Sequence, residues 1–308
     1  MSTFAISHSG YGIQQKKHWY SHMARRLDPG ILGIATNARA IPLQIYDAQT
    51  YNPSQLTRYV YFIEAINGHG EDYHTSYLAM AGIKSKLVVL VNARYVLFDR
   101  TIPGNRSDAK AIATTWKPVY RDKFVTVFEN PTPTAVSWIV HNVHVMDGKL
   151  TLNAMKASDF DPLSAAFVEG TAPATSPKAY GAVDSTSVLE YAPETIHVRA
   201  TAASDGLLVF SVVYEKGWNA YVDGKKVTVL PTDYAFRGVP VPAGNHIVEL
   251  RYEPASLHWG LWLTVVASLA WALAALWRGW SRRDDLRAWF AGDDVPNSEP
   301  AAAALPML

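Results

Sequence analysis

From Trp259 to Trp277 the sequence reads "WGLWLTVVASLAWALAALW", a run without a single charged side chain. At about 1.5 Å per residue a helix over that run spans roughly 28 Å, close to the hydrocarbon thickness of a bilayer. Helices buried in soluble cores are seldom apolar on every side for so many turns, so the run predicts a transmembrane helix over 258–280. Trp259 and Trp262 stand at one end and Trp277 and Trp280 at the other, where indole rings favour the headgroup layer. Arg278, Arg282, Arg283 and Arg287 follow, and the positive-inside bias assigns the tail, 281–308, to the cytoplasm. The bulk of the chain is then expected outside it. Yet "MSTFAISHSGYGIQQKKHWY" has neither a basic start followed by an apolar run nor a cleavage site. The expectation is therefore that earlier membrane helices of a longer polytopic protein export the large region.

The remaining 308-residue inventory narrows the chemistry. A net charge of +1 gives no global field to attract nucleic acid. Without cysteine there are no disulfides, thiolate metal sites or cysteine nucleophiles. No cofactor is expected.

Residues 1–45 are weakly patterned and are expected to be a poorly ordered start. In "YNPSQLTRYVYFIEAI", Leu56, Tyr59, Val60, Ile63 and Ile66 fall at helical spacing. "SKLVVLVNARYVLFD" puts an apolar run ahead of "ARYVLFD", whose β-branched and aromatic content argues for a buried strand. "KPVYRDKFVTVFENP" alternates Phe124, Thr126 and Phe128 against Val125 and Val127, and "TAVSWIVHNVHVMDGKL" follows as a further strand closed by an Asp147-Gly148 turn. These elements make 46–158 a mixed α/β domain. The Ala/Ser/Thr/Pro-rich stretch 159–186 is expected to be a linker. From 187 to 256, "TIHVRATA", "GLLVFSVVY", "NAYV", "KVTVL", "AFRGVPV" and "HIVELRY" are short strands separated by turn dipeptides, the pattern of an antiparallel β-sandwich. Asp223-Gly224 supplies the positive φ values of a two-residue hairpin.

"GWNAYVDGKKV" and "YAFRGVPVPAGNHIVELRYEP", with a tryptophan-flanked helix directly behind, resemble the C-terminal end of the YfhO-like bacterial membrane proteins. "YNPSQLTRY", "ARYVLF" and "VFENPTPTAVSWIV" occur in the order found in that family's large extracytoplasmic region. The resemblance covers roughly 49–280. It implies kinship with GT-C-type glycosyltransferases, which take sugar from a polyprenyl-phosphate donor to glycosylate an envelope polymer or lipid on the outer face. The N-terminal helices and early acidic loop in which such enzymes keep their catalytic carboxylate have no counterpart here, so no catalytic residue is carried over. The chain alone is expected to be a non-catalytic, membrane-anchored extracytoplasmic module of the cell envelope. Its partners would be the lipid bilayer, an upstream polytopic half, and an envelope glycan or polyprenyl-phosphate sugar. The rival reading is a stand-alone anchored module that binds carbohydrate or serves structure.

Four side chains are candidates for substrate contact: Trp218, Tyr221, Tyr234 and Arg237. Flat rings pack on the apolar faces of pyranoses, and a guanidinium fork suits a phosphate head group. Each has a plainer role, the rings as core or edge of the sandwich and the arginine in a surface salt bridge. Asp159 and Asp161 read as turn residues. His141 and His144 fall on opposite sides of a strand, too far apart in direction for zinc. His69 and His74 flank a loop, and Asn105-Arg106-Ser107 is a chance-level glycan acceptor match.

Overall fold

The computed structural model describes residues 4–7, 46–47, 50–51, 56–68, 75–76, 82, 84–100, 107–123, 125–283, 287 and 290. Residues 1–252 form one compact unit and 253–308 a second. The first begins with β1 (Phe4–Ser7), β2 (Tyr46–Asp47), β3 (Thr50–Tyr51), helix α1 (Thr57–Asn67), β4 (Thr75–Ser76), β5 (Tyr95–Asp99), helix α2 (Ser107–Thr115), β6 (Lys117–Arg121) and β7 (Val125–Glu129). An antiparallel sheet runs β2-β1-β5-β7-β6, with β3 and β4 paired apart. Four residues of the start expected to be poorly ordered thus form β1, three of them pairing with β5, and the remainder of 1–45 lies outside the described residues.

Helix α1 follows from its spacing. Val60, Ile63 and Ile66 recur every three residues and are buried with Phe62, while Leu56 stays exposed. Gly68 ends the helix at φ 78°, a left-handed value that costs glycine little, and donates its N–H to the Glu64 carbonyl at 2.9 Å. Phe62 meets Phe236 edge-on, ring centroids 4.9 Å apart, which packs α1 against the β region. The apolar run before the expected strand forms a 3₁₀ helix, Lys86–Val91, whose start is held by Ser85 Oγ accepting the Leu87 N–H at 3.2 Å. Asn92 at φ 48° breaks it, and the strand follows as β5.

The β region comprises β8 (Ser137–Val140), β9 (Asn142–Val145), helix α3 (Leu150–Met155), β10 (Ala165–Val168), β11 (Ser185–Tyr191), β12 (Thr195–Ala202), β13 (Gly206–Val213), β14 (Trp218–Val222), β15 (Lys225–Val227), β16 (Leu230–Thr232), β17 (Phe236–Val241) and β18 (Gly244–Tyr252). One sheet runs β8-β13-β17-β16-β10-β9 and the other β11-β12-β18-β14-β15. Strands β8 and β9 are separated in sequence by His141 alone, yet they form opposite edges of the six-stranded sheet. The sheet must therefore curl until those edges converge at His141, a partly closed shape. Alternate residues of both sheets, among them Ile139, Val198, Leu208, Phe210, Val222, Val239, Val248 and Leu250, share one buried cluster. Thr186 Oγ1 on β11 donates to the Ser137 carbonyl on β8 at 2.6 Å and ties the two sheets at their edges.

This arrangement redraws the expected domain boundary. The single strand expected in "TAVSWIVHNVHVMDGKL" is two strands, and both belong to the sheet built by 206–241. The expected linker contributes β10, whose four residues are all buried, together with the first two residues of β11. Small side chains hid these strands, because Ala and Ser carry little strand preference of their own.

Two backbone details fix the local geometry. Asp223 and Gly224 have φ 48° and 79°, so the β14–β15 hairpin turns in two residues as its Asp-Gly pair dictates. At Gly238 an added Cβ would lie 2.3 Å from Thr232 Oγ1 and 2.9 Å from Leu207 Cδ1. Thr232 is itself buried and donates to the Leu230 carbonyl at 3.0 Å, so it has nowhere to retreat. Gly238→Ala is expected to cost about 1–3 kcal/mol, as overpacking does, measured by urea unfolding of the micelle-solubilised chain.

The second unit is dominated by helix α4 (Ala255–Ser281), the one helix among the described residues long and apolar enough to cross a membrane. Pro254 precedes its first turn and none of its side chains is buried. Trp259, Trp262, Trp277 and Trp280 are exposed near its two ends, and the Arg283 guanidinium sits 5.5 Å from the Trp280 ring centroid. Arg278 lies in the last turn, where a cation complements the helix dipole.

Candidate functional site

Trp218 opens β14, directly after Gly217, whose φ of 124° brings the chain out of the preceding turn. Its register partner is Tyr252 on β18, with the rings 5.4 Å apart at 45°. The Arg237 guanidinium carbon lies 4.0 Å from the Trp218 ring centroid. Arg237 was expected in a surface salt bridge; it is instead 3 % exposed. Strand alternation turns it inward on β17, where Nε donates to the Val213 carbonyl at 2.9 Å and Nη1 has no hydrogen-bond partner among the described residues. Burial pulls its pKa down to about 10, partly countered by Tyr191, Glu215, Tyr214 and Tyr252. Tyr252 donates its hydroxyl to Glu215 Oε1 at 3.1 Å, and that bond is the main reason its own pKa rises. The result is a half-buried indole held by a desolvated cation and a tyrosine, at the end of the sheet from which the chain leaves for α4.

Tyr221 is elsewhere. Three residues beyond Trp218 on the same strand, it points to the opposite face of the five-stranded sheet. There the Arg251 guanidinium carbon stands 4.8 Å from its ring centroid, and Arg251 meets Glu249 through two bonds of 2.6 Å. Glu249 also faces His197 Nε2 at 2.7 Å, and the Arg251 bonds are the first cause holding its carboxyl low.

Tyr234 belongs to a third place. It is buried beside α1, at φ 67°, in the β16–β17 turn. Arg58 lies 5.2 Å from its ring centroid, donates to its carbonyl at 2.6 Å, and pairs with both oxygens of Glu169 at 2.8 and 2.7 Å. Burial pushes the Tyr234 hydroxyl up. The four candidates therefore resolve into one pair, Trp218 with Arg237, and two separate residues.

Asp161 accepts the Leu163 N–H at 3.1 Å and the Ser164 hydroxyl at 2.8 Å, ordinary turn chemistry. His141 sits at the β8–β9 joint, whereas His144 is an exposed edge residue beside the Phe167 ring. His69, His74, Asn105 and Arg106 lie outside the described residues. Sequence reasoning missed Asp233, which is wholly buried next to Tyr234. Its Oδ1 accepts the Phe167 N–H at 2.9 Å, Oδ2 has no partner among the described residues, and burial raises its pKa to about 7. Thr232-Asp233 read only as a turn. It missed Arg58–Glu169 for want of any local pattern, since the two are joined only by tertiary contact.

Comparison with curated proteins and with solved structures gives no match. Residues 178–264 do match a family model: this stretch, which takes in β11 to β18 and the first turns of α4, is similar to the family described as bacterial membrane protein YfhO.

Proposed function

We propose that the chain is a membrane-anchored extracytoplasmic module of a YfhO-like, GT-C-type system that glycosylates an envelope polymer or lipid from a polyprenyl-phosphate sugar. The carrying observation is the family match, which runs without a break from the β region into the membrane-crossing helix. In this reading the two sheets act as a β-sandwich on the acceptor side, working with a polytopic membrane part, and the module supplies no catalytic group. Trp218 offers the sugar a flat apolar ring. Arg237 is a positioning residue: the cation against the indole fixes its tilt. An arginine kept desolvated with a stranded Nη1 is a burden on the fold, and such burdens gather at functional sites.

The topology has a clean test because the chain contains no cysteine. Cysteines placed singly at Lys225, on the β14–β15 hairpin, and at Ser298, in the tail, are labelled with a membrane-impermeant maleimide on intact cells. Labelling at 225 and protection at 298 is the expected result; the reverse ends the extracytoplasmic reading. For the site, Arg237→Met is expected to stay within about 1 kcal/mol of wild-type stability, relief of the stranded Nη1 offsetting the lost bond to Val213. Envelope glycan content, measured by compositional analysis, should nevertheless fall with Arg237→Met as it does with Trp218→Ala. Undiminished glycan in both folded variants would favour a structural module.

A further inference from the structure

Three histidines of the β region share one geometry. His246 on β18 places Nδ1 2.7 Å from Asp223 Oδ2 and Nε2 3.3 Å from the Ala243 carbonyl. His197 on β12 places Nδ1 3.2 Å from Glu190 Oε2 and Nε2 2.7 Å from Glu249 Oε1. His141, at the β8–β9 joint, places Nε2 3.0 Å from Asp184 Oδ2 and Nδ1 3.1 Å from the Asp205 carbonyl. Ser204 Oγ also lies 3.0 Å from that Nδ1 and 2.7 Å from the Ser176 carbonyl. A neutral imidazole has one N–H to donate, whereas an imidazolium has two. In all three rings both nitrogens look at oxygen, and at His246, where the two oxygens are a carboxylate and a carbonyl, only the doubly protonated ring satisfies both sides.

We propose that protonation of His246 is a tightening device, through which a mildly acidic medium locks the β14–β15 turn to β18 and an alkaline one loosens it. The bonds sit where loosening matters. His246 holds the β14–β15 turn to β18, with Asp223 also accepting the Ile247 N–H at 2.9 Å and Lys225 acting on the same carboxylate. His197 bridges β11 to β18 across β12, with Arg251 sharing Glu249. His141 joins the converging edges to the segment carrying Ser176, Lys178 and Asp184. Lys178 Nζ approaches Asp184 Oδ2 at 3.0 Å, and Ala203 donates its N–H to Oδ1 at 2.8 Å. Gly206 leaves the ring its seat, for a Cβ there would lie 3.0 Å from His141.

The electrostatics of the outermost pair agree. The bond to Asp223 is the main cause raising the His246 pKa, and the same bond is the main cause lowering that of Asp223. A histidine raised on folding adds stability that is complete below its unfolded value of about 6.5 and is lost as pH climbs through the folded one.

The test uses the full chain in detergent micelles, unfolded with urea between about pH 6 and about pH 8.5. It is run in an Asp233→Asn background, because Asp233 titrates over an overlapping range. The unfolding constant is expected to rise about threefold across that span, and that rise is expected to be lost when His246→Gln is added. A rise of the same size in the His246→Gln chain overturns the proposal. Should that variant fail to fold, ¹⁵N spectra of histidine-labelled parent chain decide: protons on both nitrogens of His246 at about pH 6 support it, and a single proton overturns it.

Discussion

Asp233→Asn should abolish a loss of stability that the wild-type chain suffers as pH rises from about 4 to about 7. The cause is a carboxyl buried completely, with one oxygen bonded to the Phe167 N–H and the other without a hydrogen-bond partner among the described residues. Desolvation raises its pKa to about 7, with the Phe167 bond pulling weakly the other way. Below about pH 4 the group is protonated folded or unfolded, and its ionisation contributes nothing. Above that the unfolded chain releases the proton and the folded chain retains it, so each unit of pH favours unfolding until the folded group ionises near 7. The span of about three units is worth on the order of 4 kcal/mol, a large fraction of the roughly 5–15 kcal/mol by which domains are stable. Asparagine keeps the acceptor for Phe167 but leaves a buried NH₂ unpaired, so the variant should start lower at about pH 4, by about 1–3 kcal/mol, and then hold level. Urea midpoints across that range check it, and a wild-type slope retained in the variant would show that Asp233 is ionised throughout.

Phe210→Ala carries the other large effect, an expected loss of about 3–5 kcal/mol. The ring is wholly buried on β13, which lies between β8 and β17, and it fills the cluster shared by both sheets. Those sheets are pinned at β8, β12, β17 and β18, so the void cannot collapse without breaking strand pairing. The midpoint in urea should drop while the slope stays unchanged. A loss under about 1 kcal/mol would mean that the two sheets do not share a rigid interior.

The legible part of the molecule was the part governed by local rules. Strands β12, β13, β17 and β18 declared themselves by alternation, the β14–β15 turn by Asp-Gly, and α4 by the length of its uncharged run. What stayed hidden depends on partners far away in sequence. Nothing around His141 announces that an unbroken strand pattern splits there and sends its halves to opposite sheet edges. Arg237 looked like a surface arginine because burial follows from strand phase, and phase was read one residue at a time. Trp218 and Tyr221 are both candidates for substrate contact in the sequence, but an odd offset on a strand separates them. The histidine pairs need cross-strand register, such as His197 opposite both Glu190 and Glu249, which no single stretch contains.

The hairpin rim has a consequence of its own. Strand β15 closes the five-stranded sheet with an exposed Lys225-Lys226, and no further strand pairs with it among the described residues. An open ladder of backbone donors and acceptors is a template for a neighbouring molecule, and crowding on a two-dimensional lipid surface would multiply such encounters. Two ammonium groups repel an identical rim approaching edge to edge, which disfavours the pairing of two copies through β15.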